Sequence, residues 1–377
     1  MKTGAENKTV LIVEPNYSGH HLYYVRLLAE FASQKGWTAV LGTSAAALES
    51  VEARVHLSMV RSRLKIRVLE DFRLGAIERL TRMVRPDVTV IPDGDAKVGE
   101  LFRSRHWHGS GSLNILVMRS SGQSHQPLVR LVGSAAKRVR FFLVGRLARV
   151  SILVLESGVV PRRSSGLVRT VRDPIEFAVD ATTVELLRTS YGIDHEHQWI
   201  GILGRLDPRK NVELVLAAAK AASSTYDSSV GVLLAGKADP KYEDILQAAI
   251  ADSRSEDFSI VRVDRDLDDV ELDSLIGMCT SVVAAHSNYG PSGIVGKSAM
   301  AGVPLVLAGS SSLRRDSQYL KGRAVWSGLD IGSLTEAICE AMNLNVPDGL
   351  TGVGTPTEFA SLMFTNSVTS ERESLSP

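Results

Sequence analysis

The 377-residue chain is poor in cysteine, in net charge and in long apolar runs. Its two cysteines, Cys279 and Cys339, form no C-x-x-C pair. That argues against a disulfide framework or a zinc site, and it fits a reducing compartment. The formal net charge is +1, so the overall balance names no partner, and nucleic acid is not expected. No charge-free apolar stretch reaches the length of about 18 residues that a spanning helix needs. The opening MKTGAENKTVLIVEP lacks the apolar centre of a signal peptide. These absences predict a cytoplasmic protein. What is present is ordinary for a globular chain: 44% hydrophobic and 23% charged residues, in a length that suits two domains.

Short apolar runs bounded by turns alternate with stretches of helical spacing. Lys8 to Glu14 (KTVLIVE) predicts a buried parallel strand, His20 to Lys35 a helix and Trp37 to Thr43 a second strand. Further strands are predicted at Asp87 to Ile91, Asn114 to Met118 and Val150 to Leu155. The pattern then restarts, with strands at Trp199 to Leu203, Val230 to Ala235, Phe258 to Val263, Ser281 to Ala285 and Pro304 to Leu307. Such alternation predicts an α/β chain of two Rossmann-like, doubly wound domains facing across a cleft, over residues 1–182 and 183–344. Residues 345–377 read as a tail with a helix at Thr357 to Phe364 and a disordered end.

Two loops carry the chemistry. Gly204-Arg205-Leu206-Asp207-Pro208-Arg209-Lys210 leads from a strand into a helix opened by Asn211. A glycine permits the tight turn, and two cations beside a helix start, Arg205 and Lys210, suit a diphosphate. The second loop, Tyr289-Gly290-Pro291-Ser292-Gly293-Ile294-Val295, again joins a strand to a helix. The amides of Gly293, Ile294 and Val295 would face an anion there, with Lys297 adding charge one turn on. In the first half, His20 and His21 follow Gly19 at a strand–helix junction, and Asp93 and Asp95 end a strand. Each pair could address an acceptor, and each could equally serve packing or turn geometry. Asp93-Gly94-Asp95 has the spacing of a metal pair, but it stands alone. His106 and His108 have no further ligand at metal-binding spacing, so no metal is expected.

GRLDPRKNVELVLAAAKAA followed by GIVGKSAMAGVP resembles the retaining glycosyltransferases of the GT-B fold, family 4, across most of residues 199–343. KTVLIVEPNYSGHHLYYVRLLAEFA, VRTVRDPIEF and the Thr357 to Phe364 helix resemble other parts of that fold, the helix being the one that crosses back to the first domain. The resemblance implies transfer of a sugar from a UDP-, GDP- or TDP-sugar to an acceptor hydroxyl, with retention and without a metal, in glycan, polysaccharide or glycoconjugate synthesis. Arg205 and Lys210 then match the pair that stabilises the leaving diphosphate, which is the main electrostatic task of the reaction. The resemblance also gives Gly19, Gly204, Gly236, Lys237, Arg265, Ser292, Gly293, Ile294 and Val295 to the nucleotide-sugar site. The acceptor falls to the first domain, where Arg119 stands near the place of a histidine common in the family. Two glutamates usual in the family are replaced by Gly290 and Ser298, with Ser298 left to bond the ribose. Their loss motivates a reading from a different class, a nucleotide-sugar-binding subunit without turnover. An epimerase or phosphorylase would need acid–base side chains that Gly204 to Pro304 scarcely offers.

Residues 126–149 hold Arg130, Lys137, Arg138, Arg140, Arg146 and Arg149 among leucines, valines and phenylalanines, with no Asp or Glu. This basic amphipathic pattern fits a peripheral contact with an anionic membrane, as for an enzyme of lipid-linked acceptors, or a helix half-buried in its own domain.

Overall fold

The computed structural model describes residues 8–17, 19–118, 127–162, 164–165, 168–225, 229–255, 258–347 and 350–365. The chain forms two compact units. The first holds residues up to Glu156, Arg162–Asp173 and the segment from Thr355. The second holds Ser157–Pro161 and Pro174–Gly354. The change of unit at Asp173–Pro174 precedes the 182/183 boundary expected from sequence, and the helix Ala181–Tyr191 belongs wholly to the second unit. Arg119 and residues 366–377, the end of the tail, lie outside the described residues.

The first unit's sheet contains β1 (Thr9–Val13), β2 (Thr38–Thr43), β3 (Leu64–Val68), β4 (Val88–Ile91), β5 (Ser112–Val117), β6 (Val150–Glu156), β7 (Ser164–Ser165) and β8 (Val168–Arg172). Their order is β3-β2-β1-β4-β5-β6-β8-β7, parallel except for the two-residue edge strand β7. The period of two sorts β1 between two cores. Val10 and Ile12 pack with the helices His21–Gln34 and Pro356–Phe364, while Leu11 and Val13 pack on the opposite face. A helix layer on each face explains why β1 is apolar from Val10 to Val13.

The second unit repeats the plan with β9 (Gln198–Leu203), β10 (Val230–Ala235), β11 (Phe258–Val263), β12 (Ser281–His286), β13 (Leu305–Gly309) and β14 (Ala324–Ser327). Their order is β11-β10-β9-β12-β13-β14, all parallel. Ile200 and Ile202 face one core, and Trp199 and Leu203 the other. In each sheet the winding reverses once, between β1 and β4 and between β9 and β12. Loops leaving the carboxyl ends of those strands part to opposite faces and leave a crevice, where ligands bind in open α/β sheets.

Candidate functional site

Both loops singled out in the second half lie at the β9/β12 switch point. Gly204 leaves β9 with φ +79°, and Gly236 leaves β10 with φ +132°. A Cβ on Gly236 would come within 2.5 Å of the Gly204 carbonyl oxygen, so neither loop could approach the other with a larger residue there. The Gly204 amide donates to Ala235 O (2.8 Å) and Leu206 to Lys237 O (3.0 Å), which zips the two loops together. The β12 loop joins them, because Ser287 N donates to Arg209 O (2.9 Å) and Asn211 Nδ2 to Ala285 O (2.6 Å). Asn211 was expected to cap the following helix with its side chain. It sits instead in the left-handed region at φ +50°, its amide spent on β12, so the side chain makes no cap. Asp207 caps the preceding 3-10 turn, accepting from Arg209 N at 3.0 Å.

Lys210 folds back over the Gly204 turn and donates to Leu203 O. Burial lowers its pKa to about 8; Asp207 counteracts that and Arg209 adds to it. His286 ends β12 beside it. Burial, then the charges of Lys210 and Arg209, hold that imidazole down at about 4, against a smaller opposing effect of Asp207, so it is neutral near pH 7. A histidine with a depressed pKa resists burial in acid. Its destabilisation is absent above about 6.5, grows as pH falls from there towards 4, and reaches ~3 kcal/mol. His286→Asn should therefore shift acid unfolding to lower pH while leaving stability at pH 7.5 near the parent's, as read by circular dichroism during acid titration.

Arg205 is the exposed member of the pair and leans on Asp239 at 3.1 Å. The helix Gly293–Met300 starts at Ser292, whose side chain makes no cap. The Val295 amide closes onto Ser292 O (3.1 Å), so it is not one of the anion-facing donors expected of it. The amides of Gly293 and Ile294 have no hydrogen-bond partner among the described residues. The side chain of Ile294 lies against Gly204, 3.7 Å from its would-be Cβ, which brings this helix start to the β9 loop.

The remaining expected residues make contacts of their own within the fold. Ser298 is fully buried with its hydroxyl unpartnered, because Val295, Ser298 and Ala299 form the stripe of this helix that faces the core. Lys297 gives its charge to Asp273 (2.7 Å) and Asp269 (3.4 Å). Arg265 spends its guanidinium on Glu271 (2.7 Å twice) and the Tyr191 hydroxyl (3.1 Å). Lys237 lies 3.6 Å from Asp266 at the surface. The Gly290 amide donates to Ser312 Oγ (3.2 Å), which anchors the loop.

The first unit has its own cluster, at the β1/β4 switch point. Glu14 follows β1 and is fully buried. Its Oε1 accepts from Asn16 N (2.9 Å), and its Oε2 lies 3.0 Å from His21 Nδ1. His21 Nε2 in turn faces Asp93 Oδ2 at 3.9 Å. Burial opposes charge on the His21 ring, but the hydrogen bond and charge of Glu14, then Asp93, raise its pKa on balance. Burial likewise raises Glu14. Gly19 (φ +71°) turns the chain with open space around it, and His20 is exposed, stacked on Tyr24 at 6.0 Å. Asp95 leaves this group. It accepts from Met118 N (2.9 Å) and pairs with Lys137 (3.1 Å), a structural strut instead of an acceptor contact. Among the described residues no three His, Cys, Asp or Glu side chains gather as metal ligands. Glu14 and His286 were missed from sequence; the available signal was a titratable residue directly ending an apolar strand.

No family model matches the chain, and no curated protein matches it. Solved structures do. HepE from Anabaena, solved with UDP-glucose, aligns with 94% of this chain and 94% of its own at 14% identity and a TM-score of 0.61. Sucrose-phosphate synthase from Thermosynechococcus elongatus aligns over 94% and 97% at 14% identity, TM-score 0.66. A glycosyltransferase from Rickettsia africae ESF-5 aligns over 95% and 92% at 10% identity, TM-score 0.66. At such identities the likeness is one of fold, and it establishes the chain as α/β with two doubly wound domains of the GT-B type.

Proposed function

We propose that the chain is a glycosyltransferase that moves a sugar from a nucleotide-diphosphate sugar to an acceptor hydroxyl. The observation that carries the reading is the β9/β12 switch point, where desolvated Lys210, exposed Arg205 and the amides of Gly293 and Ile294, unpaired among the described residues, stand around one glycine turn. Together they offer two cations and two N–H donors to a diphosphate leaving group, which makes a metal unnecessary for charge neutralisation. Retention of stereochemistry rests on the sequence resemblance, and UDP is the first nucleotide to try because HepE was solved with it. Glu14, His21 and Asp93, with Gly19 and His20 beside them, form the acceptor-hydroxyl site of this reading. The acceptor is a sugar, free or lipid-linked, and the enzyme is cytoplasmic with peripheral contact to the membrane face.

Thermal-shift titration with UDP, GDP, ADP and TDP and their sugar conjugates tests the donor site. One nucleotide should raise the melting temperature as RT ln(1 + [L]/Kd) requires, and Arg205→Ala should weaken that shift. No shift with any of them would sink the reading. The second reading, a nucleotide-sugar-binding subunit without turnover, draws on Gly290 and on the buried Ser298, which leave the sugar without the family's carboxylates. It predicts the same shift with no sugar transfer to any acceptor.

A further inference from the structure

The helix Pro127–Gly145 is apolar on two opposite sides. Inward, Phe141 (4% exposed) and Val144 (1%) pack into the first unit's core, and Lys137 reaches Asp95. Outward, at the spacing of one helix face, stand Val139 (57% exposed), Phe142 (48%) and Leu143 (45%). The neighbouring helix Asp95–Ser104 adds Phe102, 40% exposed, with Arg140 over its ring at 5.7 Å. Arg146 lies over Phe142 at 5.4 Å, and Arg138 is exposed on the flank. None of these three arginines has an ion-pair partner among the described residues, and no acidic residue occurs from 126 to 149. A helix that faces only water does not need three large exposed apolar side chains between unpaired cations.

We propose that this face docks on an anionic lipid bilayer, with Val139, Phe142 and Leu143 entering the acyl boundary and Arg138, Arg140 and Arg146 meeting headgroup phosphates. Charge complementarity selects the lipid over a second copy of the chain, since identical faces would bring like charges together. The helix lies on the surface and does not cross it: among the described residues none is long and apolar enough to span. The inference extends the peripheral-membrane part of the proposed function, and vesicle binding is read without donor or acceptor, so either can fail alone.

The test is flotation of the full chain with phosphatidylcholine vesicles, with and without about 30% phosphatidylserine, at low and high salt. Binding should require the anionic lipid and weaken with salt. The triple variant Arg138→Gln, Arg140→Gln, Arg146→Gln should lower partitioning about a hundredfold. Val139→Asp with Phe142→Asp should abolish it, with melting temperature and UDP binding kept as the check on folding. Equal binding to neutral and anionic vesicles, no binding at all, or variants that bind like the parent would overturn the proposal. So would a parent dimer that the double variant dissociates, since a second copy would then cover the face.

Discussion

Lys210→Met should melt above the parent at pH 7 and lose most of its affinity for a nucleoside diphosphate. Burial lowers the lysine's pKa from 10.5 to about 8, a penalty of ~3 kcal/mol on the folded state at neutral pH. A methionine of similar length removes that penalty and forfeits the charged hydrogen bond to Leu203 O, worth about 1.5 kcal/mol. The net gain of ~1.5 kcal/mol corresponds to roughly 3–6 °C for a unit of this size. The sign with pH is fixed by linkage. Below about 8 both states of the parent carry the proton and the penalty is complete. Between about 8 and 10.5 the folded state has released its proton while the unfolded one keeps it, so the parent gains stability and the gap to the variant closes. Scanning calorimetry at pH 7, 9 and 10 follows that closure. Binding moves the other way. Removing a charged donor from a diphosphate costs about 1.5–3 kcal/mol, roughly 10- to 150-fold in Kd. Arg205→Ala provides the contrast, because its exposed pair with Asp239 contributes little to stability, so only binding should suffer. A Lys210→Met protein less stable than the parent would refute the desolvation argument. One that binds UDP as before would refute the donor site.

The strands that position both switch points were legible because they are buried on both faces, which writes a continuous apolar run: TVLIV in β1, QWIGIL in β9, VGVLLA in β10. The strands that were missed are marginal ones. In β3 (LKIRV), Lys65 and Arg67 are exposed, and it borders only β2. Two arginines interrupt β8 (VRTVR), and β14 is four residues long at the other sheet's edge. The tight turn after β9 was legible from Gly204, which takes φ +79°. The partners that side chains find within the fold were not legible. Arg265, Lys297 and Asp95 each found an opposite charge in the fold, and Ser298 fell on the buried stripe of its helix. The partners of Lys297 and Asp95 lie on other elements, 24 and 42 residues away. No local pattern encodes such pairings.

The same distance hides the arrangement from which the second large effect is expected. His21 presents Nδ1 to Glu14 Oε2 at 3.0 Å and Nε2 to Asp93 Oδ2 at 3.9 Å, and in the proposed site Nε2 is the atom that meets an incoming hydroxyl. In the proposed reaction the neutral ring accepts the acceptor's hydrogen bond, so transfer should rise with pH through the elevated pKa of His21. His21→Asn should lower kcat/KM for the acceptor about a hundredfold and leave the thermal shift with nucleotide unchanged. Glu14→Gln keeps the shape and removes the charge. It should move the rising limb of the pH profile to lower pH, which a purely structural glutamate would not do. Stability gives an independent readout with a definite sign. A histidine with a raised pKa contributes fully below about 6.5 and loses that contribution as pH climbs through its folded value. The melting-temperature advantage of the parent over His21→Asn should therefore shrink from pH 6 to pH 8.5. An advantage that grows over that range would mean that Glu14 does not hold the imidazolium. A pH profile unmoved in Glu14→Gln would mean that His21 takes no part in acceptor recognition, leaving the buried carboxylate as a device of the fold alone.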